Sequence, residues 1–142
     1  MSTNDPKVVA RAMRVLLADD DEDLRMLVHL ALERDGHVVV EATNGIEVLE
    51  RLENASVFPG EMPDVMVVDV LMPKCSGLGV LEILKKSRAT IPVIVMTSFE
   101  HESVRQVAER LGAVAFFKKP FDVNDLRTAV LNLRPIRAKL GV

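Results

Sequence analysis

Four of the apolar runs in this 142-residue chain end in polar residues that could do chemistry together: Asp19-Asp20-Asp21, Asp69, Thr97-Ser98 and Lys118-Lys119. Unperturbed aspartate has a pKa of about 3.9, so Asp19, Asp20 and Asp69 brought together would hold up to three negative charges. Two such charges about 4 Å apart repel by roughly 4 kcal/mol at an effective dielectric near 20, and something cationic must compensate. Oxygen ligands with no His or Cys beside them select a hard divalent ion. A partly open site that keeps waters suits Mg2+ better than Ca2+, and no EF-hand spacing is present. A carboxylate beside Mg2+ can attack a phosphoryl group while Lys and Thr hold the transferring oxygens, and Asp69 is the best-placed nucleophile. Asp19 to Asp21 alone read equally well as a helix cap with solvated acids. It is Asp69, Thr97 and Lys119 at the other strand ends that favour a reaction site.

The elements that must position these groups form an alternation, short β-branched runs followed by longer amphipathic stretches, repeated five times without an internal sequence repeat. Strands are predicted over residues 14–18, 37–42, 64–69, 91–97 and 114–118, apolar on both faces as buried parallel strands require. Residues 22–34 place Leu24, Leu27, Val28 and Ala31 on one side of a helix, with Asp21 as N-cap and Gly36 as stop. Further helices are predicted over 46–54, 78–86, 102–111 and 123–133, with 55–63 as the longest loop. Residues 1–13 and 134–142 read as flexible ends around a single unit at 14–133. Right-handed crossovers of five βα units give an α/β doubly wound parallel sheet in strand order 2-1-3-4-5. Ligands bind such a sheet beyond the carboxyl ends, at the switch between the first and third strands. The polar strand ends would meet at that edge.

Composition removes other classes. The chain is 49% hydrophobic and 27% charged, enough for one compact core and not for two. Eighteen Lys plus Arg against 21 Asp plus Glu give a net charge of -3, which does not attract nucleic acid. Five Phe with no Trp or Tyr leave little on which bases could stack. One Cys excludes an internal disulfide and a Cys-rich zinc site, and fits a reducing compartment. No apolar signal region precedes the first strand, and the apolar runs fall well short of the roughly 18 residues of a membrane span. A cytoplasmic domain without direct contact to nucleic acid or membrane is expected.

The sequence resembles the receiver domain of bacterial two-component response regulators over about residues 14–133. The matching blocks are Val15-Leu16-Leu17-Ala18-Asp19-Asp20-Asp21, Val67-Val68-Asp69-Val70-Leu71-Met72-Pro73 followed by Gly77, Val93-Ile94-Val95-Met96-Thr97-Ser98, and Phe117-Lys118-Lys119-Pro120-Phe121. Four blocks in order, each at a strand end, are highly specific. The resemblance implies the flavodoxin-like (βα)5 receiver fold. It implies Asp69 as phosphoacceptor, taking its phosphoryl group from a phosphohistidine of a histidine kinase or histidine phosphotransfer protein. Asp20, Asp69 and the Leu71 backbone carbonyl would bind Mg2+, with Asp19 acting largely through water. Lys119 would pair with the phosphoryl group, and the Lys119-Pro120 bond would be cis. Lys118 competes by position, but the Lys-Pro adjacency favours Lys119.

The same resemblance gives Thr97 and Phe116 the role of a switch: Thr97 would draw the following loop toward the phosphoryl group and Phe116 would follow into the vacated space. Phe stands where the family more often has Tyr, so an output contact through a phenolic hydroxyl is lost. The face of the fourth helix, fifth strand and fifth helix would then meet a downstream protein, or a second copy in a homodimer. The family's self-dephosphorylation is faster with polar side chains at the positions of Leu71 and Phe99, so slow phosphoryl loss is expected here. The module is expected to be no enzyme, catalysing only its own phosphorylation and dephosphorylation.

Other signals carry less. Gly77-x-Gly79 fails as a dinucleotide loop because Glu82 holds the third position and the pair follows the third strand. A flavin phosphate would meet three acids after the first strand. Cys75 has no placed His or resolving Cys and reads as a bystander. His29, His37 and His101 are scattered, and read as surface or satisfied side chains. Met62, Met66, Met72 and Met96 read as core fillers, and the charges on the first, second and fourth helices mostly as solvated faces. A haloacid-dehalogenase-type phosphatase needs a second acid two residues after its nucleophile, where Leu71 stands. A receiver-like module that is never phosphorylated is the other alternative, though every residue the reaction needs is present. Without an output domain after 133, a single-domain regulator is favoured over a fragment of a longer protein.

Overall fold

The computed structural model describes residues 13–58, 60–72, 74–87, 90–98 and 102–133. Ten elements alternate: β1 (Arg14–Ala18), α1 (Glu22–Arg34), β2 (Val38–Ala42), α2 (Gly45–Val57), β3 (Val65–Asp69), α3 (Gly77–Lys86), β4 (Val93–Thr97), α4 (Glu102–Arg110), β5 (Ala113–Lys118) and α5 (Val123–Leu133). All strand pairs are parallel, in the order β2-β1-β3-β4-β5, as the crossover argument predicts. Alternate side chains of the central strands feed two cores. Leu16, Met66, Val68 and Val95 pack with Val48, Leu81 and Ala108 of α2, α3 and α4. Leu17, Val67, Ile94 and Met96 pack with Val28, Leu32, Leu126 and Val130 of α1 and α5. No helix among the described residues is long and apolar enough to cross a membrane.

Local chemistry starts and stops the helices. Asp21 caps α1 by accepting from the Leu24 N–H at 3.2 Å, as expected, and Gly36 ends that region with φ +91°. Asn44 caps α2 through the Glu47 N–H at 2.9 Å, while the Glu47 carboxylate reaches back to the Thr43 N–H at 2.7 Å. This reciprocal box anchors the start of a helix that runs on to Val57, so the expected loop at 55–63 is shorter by the last helical turn.

Several expectations need correction. Met13, assigned above to a flexible end, is 1% exposed, and its carbonyl accepts from the Val38 N–H at 2.8 Å. On α1 the buried side chains are Val28 and Leu32; Leu27 points outward beside Met26 and Leu30. The 3.6-residue period defines a stripe, but not which edge of the stripe meets the sheet. Strands β2 and β5 are half-exposed rather than buried on both faces, because each has a neighbour on one side only. A bulge between Val93 and Ile94 in the β4–β5 pairing skips Val114, which is left exposed. Met62 is partly exposed, unlike Met66, Met72 and Met96. Residues 1–12, Phe99, His101 and 134–142 lie outside the described residues.

Candidate functional site

The first, third and fourth strands deliver their last residues to one edge of the sheet. Asp19 follows β1 directly and is fully buried, Asp69 ends β3 and is 3% exposed, and Thr97 ends β4 and is fully buried. Asp20 stands exposed at the rim. Carboxylate oxygens of Asp19, Asp20 and Asp69 lie within 4.8 Å of one another. Lys119 crosses from the loop after β5, and its Nζ donates to Asp19 Oδ2 at 2.8 Å and to Asp69 Oδ2 at 3.0 Å. The backbone holds this lysine: the Lys119 N–H donates to the Thr97 carbonyl at 2.7 Å, and the Lys119-Pro120 bond is cis, as expected. Lys118 alternates to the other side of the strand and is exposed. Of the two lysines, Lys119 is the one in the pocket.

The β3–α3 loop folds back over Asp69. Its Oδ1 accepts from the Leu71 N–H at 3.0 Å, and the Gly77 N–H donates to the Val70 carbonyl at 3.1 Å. A Cβ at Gly77 would lie 2.3 Å from the Asp69 carbonyl oxygen, so only glycine lets the loop close this tightly. Leu71 itself turns its side chain outward, 42% exposed. Burial pushes the Asp69 carboxyl up to about 6; the Leu71 N–H and Lys119 pull it down, and the Asp19 charge adds to the rise. For Lys119, burial works against the charged form, yet Asp19 and Asp69 together raise its pKa above the ordinary lysine value. The pocket is thus an excess of buried negative charge, partly neutralised by one ammonium and open on the Asp20 side.

Away from the acids, Phe116 on β5 is half-buried against the α2–α4 core, and the Arg105 guanidinium of α4 lies 5.7 Å from its ring centroid. The sequence reading missed a second polar group. Arg25, His29 and Glu33 form an i, i+4, i+8 stripe on α1, and the first two converge on Glu41 of β2. Arg25 Nε donates to Glu41 Oε1 at 2.5 Å and His29 Nδ1 contacts Glu41 Oε2. Arg25 and His29 are thus drawn out of solvent while Glu33 stays exposed, and His29 is satisfied by two carboxylates. The spacing alone could have suggested the stripe, but not its partner on a strand 16 residues after Arg25 in sequence.

The response regulator receiver domain family model matches residues 15–131. The chain belongs to the receiver domain family. It is a phosphorylation-dependent switch of two-component signalling, from a family of switches rather than of classical enzymes. Sporulation initiation phosphotransferase F of Bacillus subtilis is 29% identical over 125 residues, covering 88% of this chain and 96% of that protein. The alkaline phosphatase synthesis transcriptional regulatory protein PhoP of the same organism is 31% identical over 82% of this chain, which spans only 46% of PhoP. The receiver domain structure of the Francisella response regulator 1452 superposes with a TM-score of 0.76 at 29% identity, over 85% of this chain and 95% of that one. Receiver domains interact with histidine kinases or phosphotransfer proteins and use Mg2+. A set of three carboxylates without nitrogen or sulfur donors fits that ion.

Proposed function

We propose that residues 14–133 form a cytoplasmic receiver unit in which Asp69 accepts a phosphoryl group from a phosphohistidine. An Asp69 carboxylate oxygen bonds to phosphorus while the donor's N–P bond breaks, its electron pair returning to the imidazole. The product is an acyl phosphate on Asp69 and an unmodified donor histidine. Asp19, Asp20, Asp69 and the Leu71 carbonyl hold Mg2+, with Asp19 acting largely through water. When bound, the ion neutralises charge on the phosphoryl oxygens and on the acids. The observation that carries this reading is the Lys119 ammonium held by Asp19 and Asp69 at 2.8 and 3.0 Å in a buried pocket. It supplies a cation where a phosphoryl group on Asp69 would sit. Lys119 then exchanges its Asp69 contact for a phosphoryl oxygen.

Thr97 donates its hydroxyl to another phosphoryl oxygen, and Phe116 turns inward behind it, leaving Arg105 without its ring contact. That rearranges the face of α4, β5 and α5, on which a downstream protein or a second copy binds. The donor has to bring its phosphohistidine to the rim beside Asp20, where α1 begins. The exposed Met26, Leu27 and Leu30 on the next turns of α1 offer that donor protein apolar side chains. Leu71 and Phe99 cannot orient water for attack on the acyl phosphate, which makes its hydrolysis slow. Replacing them with Asn and Glu is expected to shorten the lifetime, and an unchanged decay rate would remove that part of the reading. Intact-mass measurement with a small-molecule phosphodonor tests the whole: one phosphoryl group added with Mg2+, none without it, and none on Asp69→Asn. A wild-type protein that takes no phosphoryl group under these conditions would overturn the proposal.

A further inference from the structure

We propose that Arg25 is a positioning residue for the acidic pocket, fixing the Asp19–Asp20 peptide so that the Asp20 carboxylate faces Asp69. This rests on the reading of Asp19, Asp20 and Asp69 as the Mg2+ site. Asp19 lies one residue beyond β1, where the ladder no longer fixes the chain on both sides. Its N–H donates to the Ala42 carbonyl at 3.2 Å, and its carboxylate accepts from the Asp21 N–H at 2.9 Å and from Lys119 at 2.8 Å. The remaining group is its carbonyl, and Arg25 Nη1 donates to it at 2.8 Å. No hydrogen bond among the described residues holds the Asp20 side chain. The backbone therefore fixes only its Cα–Cβ direction, and with it the range of places the carboxylate can reach, and that direction is set by the peptide that Arg25 holds.

The guanidinium is itself held. Its Nε donates to Glu41 Oε1 at 2.5 Å while Nη1 reaches the Asp19 carbonyl, two divergent bonds that a fork can make at once and a lysine ammonium cannot reproduce. His29 contacts the other Glu41 oxygen, and its Nε2 lies 3.1 Å from Glu33 Oε2. Burial alone would push the Glu41 carboxyl up, yet Arg25 and His29 hold it below the ordinary carboxylate range. The Arg25 charge is thus matched by Glu41 beside it. What reaches the pocket is the fixed geometry of a peptide, with little net positive charge. The chain of contacts Glu33–His29–Glu41–Arg25–Asp19 runs from the solvent face of α1 across the β2 edge to the site.

Titration calorimetry with Mg2+ alone, on the full chain and its variants, tests the role. Arg25→Ala is expected to weaken Mg2+ binding about tenfold, and Arg25→Lys, which keeps a donor for the Asp19 carbonyl, to fall between it and wild type. Glu41→Ala, which loosens the guanidinium without removing it, is expected to weaken binding about threefold. The phosphorylation rate of each variant at saturating Mg2+ should stay within about twofold of wild type, because the reacting groups are untouched. An Arg25→Ala protein with native circular dichroism and wild-type Mg2+ affinity would overturn the inference, as would a rate loss that saturating Mg2+ does not restore. Should Arg25→Ala fail to fold, unchanged affinity in Glu41→Ala overturns it instead. A wild-type protein that binds no Mg2+ defeats the site reading itself and this inference with it. Binding in wild type with indifferent variants defeats the inference alone.

Discussion

Strands β3 and β4 are buried along their whole length and β1 along all but its first residue, whereas β2 and β5 at the sheet edges are half-exposed. The central strands lead to the proposed reaction site: Asp19, Asp69 and Thr97 are buried at their carboxyl ends. The edges carry the groups that tune it. Glu41 of β2 holds Arg25, and β5 leads into Lys119 and bears Phe116 under Arg105. Apolar packing fixes the central strands, and polar contacts reach their carboxyl ends from the edges. A reaction site has to stay fixed, while a switch has to have a second arrangement within reach. Packed cores tolerate little displacement, but edge contacts exchange partners at modest cost.

The comparison can be broken by substitutions on either side. Met66→Ala in β3 is expected to cost about 2–5 kcal/mol in denaturant unfolding, against less than about 0.5 kcal/mol for Val114→Ala on the β5 bulge. Equal costs would deny that the centre is the packed part. Gly77→Ala must push the loop away from the Asp69 carbonyl, and an overpacking cost of about 1–3 kcal/mol is expected. Phosphorylation should slow with it, a coupling that a purely structural glycine would not show.

A smaller and pH-dependent effect sharpens the account of Asp69. Burial raises its carboxyl to about 6 in the folded, metal-free chain, so the folded state binds more protons than the unfolded one between about pH 4 and pH 6. Stability therefore falls as pH rises through that window and stays lower above it. Asp69→Asn should be more stable than wild type at pH 7.5 without Mg2+, by on the order of 1–3 kcal/mol, with the gain vanishing below about pH 4. Thermal unfolding of both proteins across pH measures it, and a pH-independent difference would contradict the assigned burial cost. Another small effect is expected where α4 meets β5. Arg105→Ala removes an exposed cation–π contact worth about 0.5–1 kcal/mol and should leave Mg2+ affinity unchanged.

The same division between centre and edge governed what could be read from the sequence. Runs such as Val65-Met66-Val67-Val68 are apolar on both faces, which specifies a buried parallel strand and the residues at its carboxyl end, and five such βα units with right-handed crossovers point to the strand order. The acids Asp19, Asp20 and Asp69 follow from those strand ends, whereas Lys119 is separated from Lys118 only by the resemblance and its Lys-Pro pair. The outward turn of Leu27 depends on how α1 rolls against the sheet, and local periodicity does not encode that. Nor does Arg25 announce Glu41: the pair forms because α1 packs beside the edge strand, and each residue alone looks like a solvated charge. Helix α2 passed its expected end because Ala55 to Val57 carry no stop signal before Pro59.

The central claim is that a phosphoryl group is carried by the carboxylate of Asp69. Borohydride reduction of the phosphorylated protein, followed by peptide mass mapping, tests it most directly, because an acyl phosphate on aspartate is reduced to homoserine while phosphate esters and unmodified carboxylates are not. The account predicts homoserine at position 69 and aspartate intact at 19 and 20. Reduction at position 19 or 20 instead, or an ester phosphate on Thr97 with aspartate intact at 69, would contradict it.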